Sequence, residues 1–216
     1  MPSKIELAEI YKEYYTEKTD EIRNFNIKTL IKYLLFKGMN KINILPIRLL
    51  CLKLASTLMQ IVLPPPFGTK KVLDVGCGYG RLLDFFAMQG WQTYGVEPGL
   101  NASKYAKLKG HNIFTGELLE TRYQQNYFSA VVFCHTLEHI SNPVEVLNEV
   151  YRILEPGGLL VIEVPNIMSA DAKFFGRSWD HYGLPFHVCH WTPASLGLVL
   201  TNIGFVIEHW KFKIPR

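Results

Sequence analysis

Val72-Leu73-Asp74-Val75-Gly76-Cys77-Gly78-Tyr79-Gly80 sets a short apolar run directly against three glycines at alternate positions. The apolar run suits a strand buried on both faces, and the glycines let the backbone turn sharply and approach a ligand closely. A helix opening after such a turn presents unpaired N–H groups to a carboxylate or phosphate. Many turns carry a bare GxG, so the downstream residues decide what this one means. Glu97 closes a second strand roughly 20 residues later, where a carboxylate either accepts hydrogen bonds from ribose hydroxyls or stands as a solvated strand-end charge. Asp74, inside the apolar strand, needs a reason to be buried. It bonds the turn's own N–H groups or it touches the ligand, and the sequence leaves both open.

On either side of this turn, the pattern alternates strands and helices in the order of a doubly wound, mostly parallel sheet. Strands are expected at Lys71–Val75, Gln92–Glu97, His111–Thr115 and Ala130–His135, with helices at Arg81–Gln89 and Asn101–Lys109 stopped by Gly90 and Gly110. Asn142 as cap and Pro143 at the first helical position open a further helix whose stripe is Val144, Leu147, Val150, Tyr151 and Leu154. Pro156-Gly157-Gly158 is expected to end it, and Leu159–Val164 to follow as a buried central strand. Thr192-Pro193 opens a last helix closing at Gly204, before a strand over Phe205–Phe212.

Pro64-Pro65-Pro66 forces an extended connection and divides the chain into a helical extension over residues 1–66 and an α/β domain over 67–216. Upstream, Ile22–Leu63 carries Arg23, Lys28, Lys32, Lys37, Lys41, Arg48 and Lys53 but no acidic residue. Pro46, Arg48 and Lys53 argue against a membrane span there. Three readings stand for this segment: a cap on the α/β domain, which we favour, a homodimer surface, or peripheral contact with anionic lipid through residues 22–63. For Tyr11, Tyr14 and Tyr15, a packing stripe is preferred over a helix folding across a cofactor.

The 216 residues are 48% hydrophobic and 19% charged, which supports one enzyme-sized core and excludes a disordered chain. A net charge of +4 without a Lys/Arg block falls short of a nucleic-acid-binding surface. Cys51, Cys77, Cys134 and Cys189 form no CxxC pair, so neither a disulfide framework nor a zinc ribbon is indicated. The amino terminus lacks signal-peptide character, and a reducing cytoplasm, with or without membrane association, is the expected location.

Together these stretches resemble the class I S-adenosylmethionine-dependent methyltransferases of small-molecule type. Val72–Gly80 resembles their first motif and Gly95-Val96-Glu97-Pro98 their second. Phe128–Val164, with Cys134-His135-Thr136-Leu137-Glu138-His139 and Leu154-Glu155-Pro156-Gly157-Gly158, resembles the later ones. The resemblance implies a Rossmann-like methyltransferase fold with an N-terminal helical extension, S-adenosylmethionine as cofactor and S-adenosylhomocysteine as product. It also implies a cofactor site of Asp74, Gly76, Cys77, Gly78, Gly80, Glu97, Pro98, Glu117, Leu118, Cys134 and His135. The family more often has Asp where this chain has Glu117. It usually adds a seventh, antiparallel strand after the one expected near Phe205–Phe212; either that strand is missing here, or another segment or chain completes the sheet edge.

Methyl transfer needs alignment and exclusion of water more than elaborate catalysis, but a hydroxyl acceptor benefits from a base. His187 and His190, in the loop before the last helix, are the preferred substrate-side histidines, followed by His139, with loop-pinning hydrogen bonds as the alternative role. Trp179, Tyr182, Phe186 and Trp191 either wall an apolar pocket or belong to the core. His181, His187, His190 and Cys189 raise a metal site, which we set aside for want of a carboxylate at ligand spacing. The expected function is methyl transfer to a small molecule, most simply a hydroxyl on a sugar, lipid-linked compound or secondary metabolite. The rivals are a nicotinamide-dependent oxidoreductase, disfavoured by the GxGxG spacing, and a non-catalytic S-adenosylmethionine-binding protein.

Overall fold

The structure, a computed structural model, describes Leu63 and Pro66–Phe212. The readings placed on residues 1–62, including the basic apolar segment and the tyrosine stripe, lie outside the described residues. The described residues from Pro66 onward belong to the compact unit that carries the sheet. Among the described residues no helix is long and apolar enough to cross a membrane.

Five parallel strands form one sheet in the order β3-β2-β1-β4-β5. They are β1 (Lys71–Val75), β2 (Gln92–Glu97), β3 (Asn112–Thr115), β4 (Phe128–Cys134) and β5 (Leu154–Glu163). The helices are α1 (Arg81–Met88), α2 (Leu100–Leu108), α3 (Pro143–Ile153), α4 (Ala170–Phe175) and α5 (Pro193–Ile203). β1 is central because its residues are buried on both faces, and Val72 and Leu73 are fully inaccessible. Phe85 and Phe86 of α1 and Phe128 and Phe133 of β4 are also fully buried, each stabilising the fold by about 1.5–3 kcal/mol. The register aligns Val75 with Val96 and Phe133, Glu97 with Thr115, and Cys134 with Glu163. The carboxyl ends of all five strands therefore share one edge. Strand order reverses between β1 and β4, and the crevice above such a reversal is where open α/β sheets take ligands.

Several expectations are corrected. The buried stripe of α3 is Val146, Leu147, Val150 and Ile153, whereas Val144 and Tyr151 are half exposed on its flank. Tyr151 packs instead edge-on against Phe205. Asn142 makes no capping bond, because its carboxamide donates to Glu145 Oε2 (2.7 Å) and accepts from Ser141 (2.9 Å). Pro156-Gly157-Gly158 does not stop α3, which ends at Ile153 and passes directly into β5. The Pro-Gly-Gly segment is a bulge in that strand, where pairing jumps from Phe128↔Leu154 to Ala130↔Leu159. β5 is not a central strand: among the described residues it is the sheet edge, and it is mostly half buried. Phe205–Phe212 forms no strand; Phe205 and Ile207 pack on the core while Val206 faces solvent, without ladder hydrogen bonds. α5 meets expectation, with a Thr192–Ser195 capping box, Pro193 in the first turn and Gly204 at the carboxyl cap.

Candidate functional site

The glycine turn joins the end of β1 to α1 through three left-handed positions: Gly76 (φ +75°), Gly78 (φ +53°) and Gly80 (φ +73°). Gly76 and Cys77 donate to the Val96 carbonyl at 2.8 and 3.1 Å, which fastens the turn to β2. A β-carbon on Gly76 would lie 2.5 Å from the Thr136 side chain, so the turn packs against the chain leaving β4. At Gly78 the opposite holds: a β-carbon there would have no neighbour within 4 Å, so this glycine borders open space.

Glu97 is buried, and each of its carboxylate oxygens accepts one backbone N–H, Oε2 from Gly78 at 2.8 Å and Oε1 from Gly99 at 2.7 Å. Burial raises its pKa and the two N–H donors oppose that shift. One carboxylate thus shapes both loops and keeps further lone pairs for hydroxyl donors. Asp74 does not bond the turn as one sequence reading allowed. It is buried, its Oδ1 has no hydrogen-bond partner, and burial, with Glu97 nearby, pushes its pKa up to about 8. A buried, undonated carboxyl oxygen at this edge of the sheet is suited to a cationic or N–H-bearing ligand.

The other residues expected here divide. Cys77 turns its thiol inward against Gly95, and burial raises the thiol pKa, leaving only its backbone at the turn. Pro98 is exposed beyond β2. Glu117 is exposed at the start of a short helical turn and exchanges capping bonds with Glu120, while the Leu118 side chain is buried in the core. Cys134 is half buried at the end of β4. His135, with φ +54°, places Nε2 3.1 Å from Glu163 and Nδ1 3.5 Å from Glu138. The carboxylates of Glu138 and Glu163 raise its pKa to about 9, so it remains an imidazolium at neutral pH.

The histidine groups, far apart in sequence, come together through the fold. His139 donates Nδ1–H to the Phe186 carbonyl (3.0 Å), and its ring meets that of His187 edge-on at 4.7 Å. Burial lowers the His139 pKa and favours the neutral ring. His187 donates Nδ1–H to the His181 carbonyl at 2.8 Å. His190 is exposed and donates Nε2–H to Tyr182 (3.1 Å). Trp191 is core, and Trp179 is buried within the loop with Nε1–H on Asp171 (2.9 Å). Tyr182 and Phe186 remain half buried. Sequence reasoning missed Glu138 and Glu163 as the partners of His135. A carboxylate next to Leu137 in an apolar stretch was the available signal for Glu138.

A methyltransferase-domain family matches residues 48–209. Two curated relatives are both named ubiquinone biosynthesis O-methyltransferase. That of Bradyrhizobium sp. is 29% identical over 134 residues, covering 58% of this chain and 49% of its own length. That of Psychrobacter arcticus is 32% identical over 154 residues, covering 63% and 59%. The chain therefore spans between about half and three-fifths of these relatives. A solved S-adenosylmethionine-dependent methyltransferase from Archaeoglobus fulgidus superposes with a TM-score of 0.61 at 25% identity, over 72% of this chain and 69% of the other. A Thermotoga maritima methyltransferase shares the fold with a TM-score of 0.58 at 17% identity, over 88% and 79%. The glycine turn, the acidic end of β2, the sheet order and these matches agree, and the chain belongs to the class I S-adenosylmethionine-dependent methyltransferase family.

Proposed function

We propose that this chain transfers the methyl group of S-adenosylmethionine to an oxygen of a small-molecule acceptor. The carrying observation is the pairing of an undonated, buried Asp74 Oδ1 with the open space at Gly78, beside a Glu97 whose two oxygens already organise the loops. The cofactor, when bound, supplies a methyl group made electrophilic by its sulfonium. In this reading Asp74 takes the ammonium of the methionine moiety, Gly76, Gly78 and Gly80 admit the backbone to close approach, and Glu97 receives the ribose hydroxyls. Glu117 and Leu118 border the adenine, and Cys134 with His135 bounds the methionine end.

The O-methyltransferase names of the relatives support an oxygen acceptor, a hydroxyl on a lipid-linked, sugar or secondary metabolite. His139, His187 and His190 are the histidines that would receive its proton, since each donates one ring N–H to a backbone carbonyl and keeps a lone pair on the other nitrogen when neutral.

Calorimetry with S-adenosylmethionine, S-adenosylhomocysteine and NADH, followed by labelled-methyl transfer over hydroxyl and amine acceptors, tests both halves. Binding of the first two ligands and label on hydroxyl acceptors is expected. Binding of NADH alone would return the oxidoreductase reading, and label confined to amines would overturn the oxygen acceptor.

A further inference from the structure

Where β4 gives way to Thr136–Ile140, a carboxyl group and two imidazoles converge: ligating atoms of Glu138, His139 and His187 lie within 4.8 Å of one another. Glu138 is 1% exposed, and neither carboxyl oxygen has a hydrogen-bond partner. The His135 imidazolium, with Nδ1 3.5 Å from Oε1, offers it charge at a distance too long for a good hydrogen bond. Glu138 thus has a charge partner but no hydrogen bond, and both oxygens of this buried carboxyl group keep lone pairs for a donor or a cation.

The two imidazoles are oriented as ligating imidazoles are. Each donates Nδ1–H to a backbone carbonyl, His139 to Phe186 and His187 to His181, which fixes the tautomer and puts the lone pair on Nε2. The segment carrying His187 is tied to the Glu138 turn, because Val188 and Cys189 both donate to the Glu138 carbonyl, at 2.9 and 3.0 Å. Gly183, at φ +53°, lets the His187 ring lie where a β-carbon would be 2.6 Å from it. Three constraints from different parts of the chain thus hold one cluster.

We propose that Glu138, His139 and His187 bind a divalent first-row transition-metal ion, Zn²⁺ being the best fit to two imidazoles and one carboxylate. Tetrahedral bonds of about 2.0–2.2 Å bring ligand atoms to roughly 3.4 Å apart, so the cluster contracts by up to about 1.4 Å from its 4.8 Å span on loading. His187, half buried in a loop, has the freedom to close that distance. The carboxylate that the histidine-rich loop lacks in sequence is supplied by the turn after β4. Three protein ligands leave a coordination position for water or a hydroxyl oxygen. Use of that position for the methyl acceptor rests on the function proposed above, with His190 then left to take the proton; the metal site itself does not depend on it.

The test is calorimetric titration of the chelator-stripped full chain with Zn²⁺, with metal content per chain measured after dialysis. One ion per chain is expected, with affinity reduced at least about tenfold in His187→Ala and in the isosteric Glu138→Gln, and unchanged in His209→Ala, an exposed control. Circular dichroism of each variant separates lost binding from lost folding, and Co²⁺ substitution reports the coordination geometry by its visible absorption. Absence of saturable binding to the folded wild type, or stoichiometric binding that survives both substitutions, would overturn the site. S-adenosylhomocysteine affinity in the same samples judges the methyltransferase reading separately.

Discussion

Replacing Gly78 by alanine and, separately, Gly76 by alanine separates the cradle's ligand surface from its structural root. Both residues occupy left-handed backbone, where a β-carbon costs about 1–2 kcal/mol. At Gly78 nothing else is added, since the new methyl meets no protein atom within 4 Å. A domain of this size loses roughly 2–4 °C of melting temperature per kcal/mol, so Gly78→Ala should lower Tm by about 2–8 °C. Its methyl instead occupies the space assigned to the cofactor, and a loss of about 3 kcal/mol of binding is roughly a hundredfold in Kd. At Gly76 the methyl collides with Thr136 at 2.5 Å. Overpacking of that kind adds about 1–3 kcal/mol, for a total near 2–5 kcal/mol. Thermal melts should therefore rank Gly76→Ala below Gly78→Ala, while calorimetry with S-adenosylhomocysteine should show Gly78→Ala folded and binding roughly a hundredfold more weakly. Wild-type affinity in Gly78→Ala would refute the placement of the ligand, and a lower Tm for Gly78→Ala than for Gly76→Ala would refute the packing argument.

Other consequences follow from the carboxylates and from His135. With its pKa raised to about 8, Asp74 holds a proton in the native state that the unfolded chain releases near pH 4, so cofactor-free protein should lose urea stability between those values and change little above them. Asp74→Asn should flatten that slope, leaving the smaller slope of the same sign from Glu97, and weaken cofactor binding. Glu97→Gln leaves one oxygen to serve both Gly78 and Gly99; the abandoned N–H should cost about 1–3 kcal/mol in denaturation, with cofactor affinity falling alongside. For His135 the pKa is raised, so its ion-pair stabilisation is complete below its ordinary value of 6.5 and is lost as pH rises through about 9. His135→Gln should therefore lower Tm more at pH 7 than at pH 10, and an equal loss at both would contradict the charged pairing with Glu138 and Glu163.

The places where sequence and structure diverge share a cause. Apolar periodicity identified α3, but whether Val144 or Val146 faced the core depended on how the helix is rotated against the sheet. Asn142 and Pro156-Gly157-Gly158 carry strong local preferences for a cap and a stop. Side-chain partners at Ser141 and Glu145, and strand pairing begun already at Leu154, took precedence. The apolar alternation around Phe205–Ile207 was satisfied by packing on the core, without any strand partner.

By itself the sequence determined the strand, glycine turn and helix, the acidic end of β2 and the order of alternating elements, because these depend on residues adjacent in the chain and on period-2 or period-3.6 patterning. It could not decide that Glu97 rather than Asp74 ties the turn, that Gly78 is open while Gly76 is packed, or that Glu138 meets His139 and His187. Those are contacts between segments distant in sequence, fixed only when parallel pairing brings the carboxyl ends of the strands to one edge and the loop before α5 folds back onto the end of β4.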